Sequence, residues 1–215
     1  MKTIYFISGL GADERAFQFL QQNGITGKHI KWVAPKKHEG LRDYCMRLTE
    51  QLDAPGGIVL IGVSFGGIVA QEISKLVKVD KVIILSSVKS AKELGWRLNL
   101  VRALSLHKLA PSRFLKWSNL LACDYYFNIR TKAESKLLRL IVKDIDCSFM
   151  KWAIEAMMKW KGGAPNLAVV HIHGDKDRIF PIGHIKNAIT IAGGSHFMIV
   201  NRAKEISELI EKEIG

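Results

Sequence analysis

Apolar residues along the chain follow two periods. Short continuous apolar runs at residues 2–7, 29–34 (HIKWVA), 58–63, 81–86, Leu167–Ile172 and about 188–192 predict buried strands. Between them apolar positions recur at helical spacing. Asp13 reads as an N-cap before Ala16, Phe17 and Leu20. Leu41, Tyr44, Cys45, Leu48 and Leu52 mark a second helix, and another follows Ser64 at once. Lys132–Val142 and Phe149–Lys161 carry further helical patterns, with Asp146 as the cap of the latter. The chain closes on an amphipathic helix over residues 201–213, with Ala203, Ile206, Leu209 and Ile210 on its apolar face.

Strands alternating with helices predict an α/β protein with a mainly parallel sheet and right-handed crossovers. The rhythm breaks at residue 88. From there to 165 no strand is predicted, and Gly162-Gly163-Ala164-Pro165 closes the stretch as a linker. A plain crossover needs far fewer residues. The reading is therefore a core of 1–87 and 166–215 with 88–165 inserted as a helical cap. The alternative is that these helices cover one face of the sheet.

A length of 215 residues, 48% of them apolar, fits one domain with an insertion. The formal charge of +12 suggests anionic partners, or simply a solvated basic surface. Cys45, Cys123 and Cys147 form no CxxC pattern and read as free thiols in a reducing compartment. No basic-then-apolar leader and no bilayer-length apolar run is visible, so the expected location is cytoplasmic.

The candidate chemistry starts at Gly62-Val63-Ser64-Phe65-Gly66-Gly67, a Gly-x-Ser-x-Gly turn between a strand and a helix. Such a turn strains the serine backbone, so its neighbours two away must be tiny. It lifts the Ser64 hydroxyl to the positive end of the following helix and leaves the Phe65 N–H free to face an oxyanion. A serine hydroxyl also needs a base within hydrogen-bond reach and a group to orient that base. Asp175 and Asp177 follow one later strand, and His196 follows the last strand behind Gly193-Gly194. His171 and His173 are further candidate bases, although packed histidines are the commoner reading there. His29, His38, His107 and His184 lack a partner pattern. No HExxH, clustered Cys/His or carboxylate set suggests a metal. Gly9-x-Gly11 lacks the third glycine of a dinucleotide-binding loop, so no cofactor is expected.

The order Ser64…Asp177…His196, together with these loops, resembles the α/β-hydrolase superfamily in its small capped, esterase-like branch. Gly62-Val63-Ser64-Phe65-Gly66 resembles the nucleophile elbow. His173–Pro181 resembles the acid loop, in which the catalytic Asp lies four residues before the Pro, which favours Asp177 over Asp175. Gly193-Gly194-Ser195-His196-Phe197 resembles the histidine loop. The chain lacks room for two antiparallel strands with which the superfamily often begins, which implies a trimmed sheet of about six strands. Ser8-Gly9 also stands where His-Gly is usual. The resemblance implies Ser64 as nucleophile, His196 as base, Asp177 as its orienting acid, and the backbone N–H groups of Leu10 and Phe65 as an oxyanion hole.

Residues 88–165 hold 15 Lys or Arg against 6 Asp or Glu, interleaved with Trp96, Trp117, Tyr125, Tyr126, Phe127, Trp152, Met157, Met158 and Trp160. A helical core with outward charges explains this pattern. An apolar acyl pocket under a basic rim explains it too, with Trp152 and Phe197 as candidate lining residues. The expected substrate is then an acyl ester or thioester whose remainder is anionic, such as a coenzyme A or carrier-protein conjugate. Nucleic-acid binding is disfavoured, because no recognised module is present. The leading function is a serine ester or thioester hydrolase. A lyase or C–C bond hydrolase on the same triad, or a slow ligand receptor, are the alternatives, since one fold hosts many chemistries. The pattern is silent on oligomeric state.

Overall fold

Six strands pair side by side in one parallel sheet: β1 (Thr3–Ile7), β2 (Lys28–His29), β3 (Ile58–Val63), β4 (Lys81–Leu85), β5 (Val169–Gly174) and β6 (Ile189–Ile191). The computed structural model describes residues 2–10, 12–53, 56–95, 124–163 and 168–215. Gly11, Trp96, His107, Trp117, Cys123, Ala164, Pro165 and Leu167, singled out above, lie outside the described residues. The strand order is β2-β1-β3-β4-β5-β6. From β1 the chain steps outward to β2, then crosses back to β3 and proceeds the other way. The winding therefore reverses between β1 and β3, and open α/β sheets bind ligands at the carboxyl ends flanking such a reversal.

The central strands β1, β3 and β4 are mostly apolar because both faces are covered. Tyr5, Ile7, Leu60, Val82 and Ile84 point to one face. There they meet Tyr44 and Leu48 of α2 (Leu41–Thr49) and Ile68, Val69 and Ile73 of α3 (Phe65–Ile73). Phe6, Val59, Ile61, Ile83, Leu85 and Ile172 point to the other. That face packs against Phe17, against Leu20 of α1 (Gln18–Gln22), and against the C-terminal helix at Ala203–Ile214. Asp13 caps the 3₁₀ turn Glu14–Phe17 that leads into α1.

The second strand is much shorter than its apolar run predicts. Pairing with β1 ends at Ile30, whose N–H donates to Phe6 O. Beyond it side chains satisfy the backbone. Gln51 bonds both the N–H and the C=O of Lys31, and the Tyr44 hydroxyl does the same for Val33. An edge segment served in this way needs no neighbouring strand. β5 instead runs on to Gly174, two residues past its expected end, because it pairs with β6 there.

Within the stretch expected to form a cap, the described residues hold α4 (Lys132–Asp144) and α5 (Cys147–Lys159). Asp146 caps α5 by accepting the Phe149 N–H at 2.8 Å. Leu138 and Val142 of α4, with Ile145 and Met150, enclose Phe197, with Leu10 and Phe127 packed alongside. Phe149, Ala153 and Ala156 of α5, with Trp160 just past its end, join the apolar cluster of α2 and α3. Arg15 reaches Asp144 at 2.7 Å, tying the segment after β1 to the end of α4. The short α6 (Met198–Asn201) leads into α7, the C-terminal helix just described, and 3₁₀ turns stand at Ala91–Leu94 and Ile182–His184. No helix among the described residues is long and apolar enough to cross a membrane.

Candidate active site

Ser64 sits between β3 and α3 with φ 53° and ψ −120°, a conformation that a residue with a β-carbon adopts only under constraint. The constraint is visible around it. Its N–H donates to Leu85 O at 2.9 Å, and its C=O accepts from Ser87 Oγ at 2.7 Å and from the Gly67 N–H at 3.0 Å. Any side chain at Gly66 would collide with the Ile7 and Ser8 carbonyl oxygens. The bare glycine lets the first turn of α3 lie against the end of β1. That brings Gly9 beside Ser64: a β-carbon on Gly9 would lie 3.6 Å from Ser64 Cβ.

Three loops from three strand ends meet at this serine. Ser64 Oγ lies 3.0 Å from His196 Nε2, and His196 Nδ1 lies 2.7 Å from Asp177 Oδ2. An ionised carboxylate only accepts, so Nδ1 carries the proton and Nε2 is left to accept from the serine hydroxyl. The other oxygen of Asp177 accepts the Ile179 and Phe180 N–H groups at 2.8 and 2.9 Å. Asp177 and His196 are 4% and 3% exposed, whereas Ser64 is partly accessible. Burial pushes the Asp177 carboxyl up, but the charge and hydrogen bond of His196, the nearby His173 and the Phe180 N–H outweigh it. The net effect holds Asp177 below the ordinary carboxylate range.

Asp175 faces elsewhere and accepts the Gly193 N–H at 2.7 Å. His171 and His173 lie behind the acid rather than at the serine. His173 Nε2 bonds Phe180 O at 2.8 Å and lies 3.5 Å from Asp177 Oδ2; its Nδ1 lies 3.2 Å from His171 Nε2. Phe65 is the first residue of α3, so its N–H has no acceptor within the helix. Leu10 lies on the neighbouring loop after β1.

The two candidate pocket residues diverge. Trp152 is half-buried; its indole meets Tyr44 at 4.2 Å and the edge of Phe65 at 6.2 Å, and its N–H donates to Glu39 O. Phe197 is packed into the apolar cluster under α4. Residues not tied to the site from sequence also surround it. Phe127 stands edge-on to the His196 ring at 5.2 Å, Phe180 does so at 5.5 Å, and Trp32 packs on Phe65 at 5.8 Å. Phe127 belongs to the interleaved aromatics noted above, but nothing in its spacing pointed to the histidine. Among the described residues no cluster of three or more His, Cys, Asp or Glu is placed to hold a metal ion.

No family model and no curated protein sequence matches the chain. Solved structures do match. An esterase from Thermogutta terrifontis superposes with a TM-score of 0.73 at 14% identity, over 100% of this chain and 89% of that one. The esterase EaEST from Exiguobacterium antarcticum gives 0.73 at 15%, over 99% and 91%. MenH from S. aureus gives 0.70 at 16%, over 98% and 92%. The chain has the α/β-hydrolase fold. In an α/β-hydrolase sheet the strand–turn–helix serine stands at the carboxyl edge, and Ser64 follows β3 at that edge beside the β1/β3 reversal.

Proposed function

We propose that the protein is a serine hydrolase cleaving a carboxylic ester or thioester through an acyl-enzyme. The observation that carries this reading is the bonded line from Ser64 Oγ through His196 to Asp177, with spacings of 3.0 and 2.7 Å. Ser64 Oγ attacks the carbonyl carbon as its proton passes to His196 Nε2. The carbonyl oxygen becomes an oxyanion facing the Leu10 and Phe65 N–H groups. Collapse breaks the bond to the alcohol or thiol, which takes the proton from His196. Water then repeats the sequence on the acyl-enzyme and releases the acid. Asp177 stabilises the transient imidazolium and is not itself protonated. The esterase structures that superpose on the chain support the same class.

In this reading residues 88–165 form a cap over a core of 1–87 and 166–215. The packing of Leu10, Phe127 and Phe197 with α4 supports it. Free thiols at Cys45 and Cys147 suit a reducing, cytoplasmic setting. The substrate's anionic remainder would lie in a cleft of about 810 Å³ between α5 and the α2–α3 side of the core. Trp152 and Trp160 line this cleft together with Lys75, Lys151, Lys159 and Lys161 and the carboxylates of Glu39, Glu72 and Glu155.

The test is hydrolysis of p-nitrophenyl esters from acetate to decanoate by the wild type and by Ser64→Ala. Loss of the nucleophile is expected to lower kcat by roughly 10⁴- to 10⁶-fold. Equal rates in the two proteins would overturn acyl transfer through Ser64.

A further inference from the structure

Two side chains outside the Ser–His–Asp line brace the loop that carries Leu10. The Trp32 indole N–H lies 3.0 Å from both Ser8 Oγ and Ala12 O. The Ser8 hydroxyl donates its own proton to Ala12 O. Within the same turn the Ala12 N–H bonds Gly9 O at 3.0 Å. The loop after β1 is therefore pinned by one indole from the segment after β2.

The indole is itself fixed. Its ring meets Phe149 at 5.2 Å, Phe65 at 5.8 Å and Tyr44 at 6.4 Å. One side chain thus bonds the Leu10 loop and packs against Phe65, the two residues whose N–H groups are assigned to the oxyanion. We propose that Trp32 is a positioning residue for the oxyanion site, acting with Ser8 to hold the Leu10 N–H in convergence with that of Phe65. This rests on the acyl-transfer reading above.

The chemistry asks for such a brace. An oxyanion donor works only when it points, before reaction, at the place where charge will develop. A loop containing glycines has no rigidity of its own, so the direction of its N–H must be set from outside. Without the indole N–H, Ser8 Oγ and Ala12 O lose their common donor, and the turn keeps only its internal bonds, Ser8 hydroxyl to Ala12 O and Ala12 N–H to Gly9 O, with nothing tying it to the segment after β2. The loss falls on the transition state. The substrate's uncharged carbonyl binds almost equally well in either case.

The experiment compares wild type, Trp32→Phe, Ser8→Ala and the double variant. Trp32→Phe keeps an aromatic ring in place and deletes the donor together with part of the indole's packing on Phe149, Phe65 and Tyr44, which is why Ser8→Ala is measured beside it. It is expected to lower kcat about 10- to 100-fold with KM within about twofold, a part of what losing a whole oxyanion donor costs. The second-order rate of Ser64 phosphonylation by a fluorophosphonate, which also builds charge on an oxygen at this site, should fall in parallel, while each chain still takes up one label. Ser8→Ala removes a single hydroxyl and leaves the packing alone, so it reports even if Trp32→Phe folds poorly. The double variant should be little worse than the more damaged single one, because both act through one turn. An unchanged kcat and labelling rate in both folded single variants would overturn the positioning role while leaving Ser64 as nucleophile. A wild type that takes no label would overturn the nucleophile assignment, and this inference with it.

Discussion

Gly174, at the end of β5, and Gly194, in the loop after β6, touch backbone to backbone. A β-carbon on Gly194 would lie 3.0 Å from Gly174 Cα, and one on Gly174 would run into the Gly194 peptide. The Lys176 N–H also bonds Gly194 O at 2.8 Å. This contact sets the separation of the two loops that deliver Asp177 and His196. Gly174→Ala should force them apart, at a cost of about 1–3 kcal/mol of stability. Ester turnover should fall about 100-fold, the usual penalty for a displacement near 1 Å at reacting groups. Urea unfolding and kcat on the same preparation check this; an active, equally stable variant would show that the loops are spaced by something else.

The backbone strain at Ser64 gives a separate prediction. With φ at 53° the position favours glycine, and a strained residue of this kind costs roughly 1–3 kcal/mol. Ser64→Ala and Ser64→Gly both lose the hydroxyl and its bond to His196, so their difference isolates the β-carbon. Both should be inactive. Ser64→Gly should be the more stable by about 1 kcal/mol, read as a shift in the urea midpoint at constant slope.

The sequence carried the site where chemistry demands particular residue types at particular strand ends. Gly62, Ser64 and Gly66 stood out because a serine on a strained strand–helix turn needs glycine two residues to either side, and the loops after later strands offered Asp175, Asp177 and His196, with Asp177 preferred only through the resemblance of its spacing to Pro181. The brace at Trp32 was not legible. Its role depends on Ser8 and Ala12, more than 19 residues away, and no periodicity links them. The strand at 29–34 was overpredicted for a related reason. Its apolar run is real, but Gln51 and Tyr44 satisfy the backbone that a neighbouring strand would otherwise pair. Long-range side-chain bonds of this kind leave no local pattern.

The cleft beside α5, where four lysines stand against Glu39, Glu72 and Glu155, predicts salt-sensitive selectivity through its unpaired lysines. Lys75 pairs with Glu72 and Lys159 with Glu155, whereas Lys151 and Lys161 form no ion pair among the described residues. If an anionic leaving group lies there, kcat/KM for an acyl-coenzyme A should fall several-fold between about 50 and 500 mM salt, because the Debye length shrinks. A neutral p-nitrophenyl ester should be unaffected. Lys151→Glu with Lys161→Glu should reproduce the loss at low salt. Equal salt responses for the two substrates would remove the anionic group from the proposal.

Stability should fall on the acid side because of two histidines that do no chemistry in this scheme. Burial, with the neighbouring His173 and Lys89, drives the His171 pKa down to about 3. Burial also lowers that of His173, whose Nε2 donates to Phe180 O and whose Nδ1 accepts from His171. Below the ordinary histidine pKa the unfolded chain binds protons that the folded chain refuses. Stability is therefore complete above about pH 7 and falls as pH drops, by about 1.4 kcal/mol per pH unit for each histidine within its window. For His171 that window runs from about 6.5 down to about 3. Asp177 adds to the loss only lower, because its depressed pKa means its stabilising charge persists until the pH falls below the ordinary carboxylate value. Urea unfolding at pH 8, 6 and 5 should trace this slope. His171→Gln keeps a donor for His173 without a titrating ring, so its slope should be shallower by about one proton. An acid limb of the same steepness in that variant would show that His171 is already protonated in the folded chain, or that other groups set the limb.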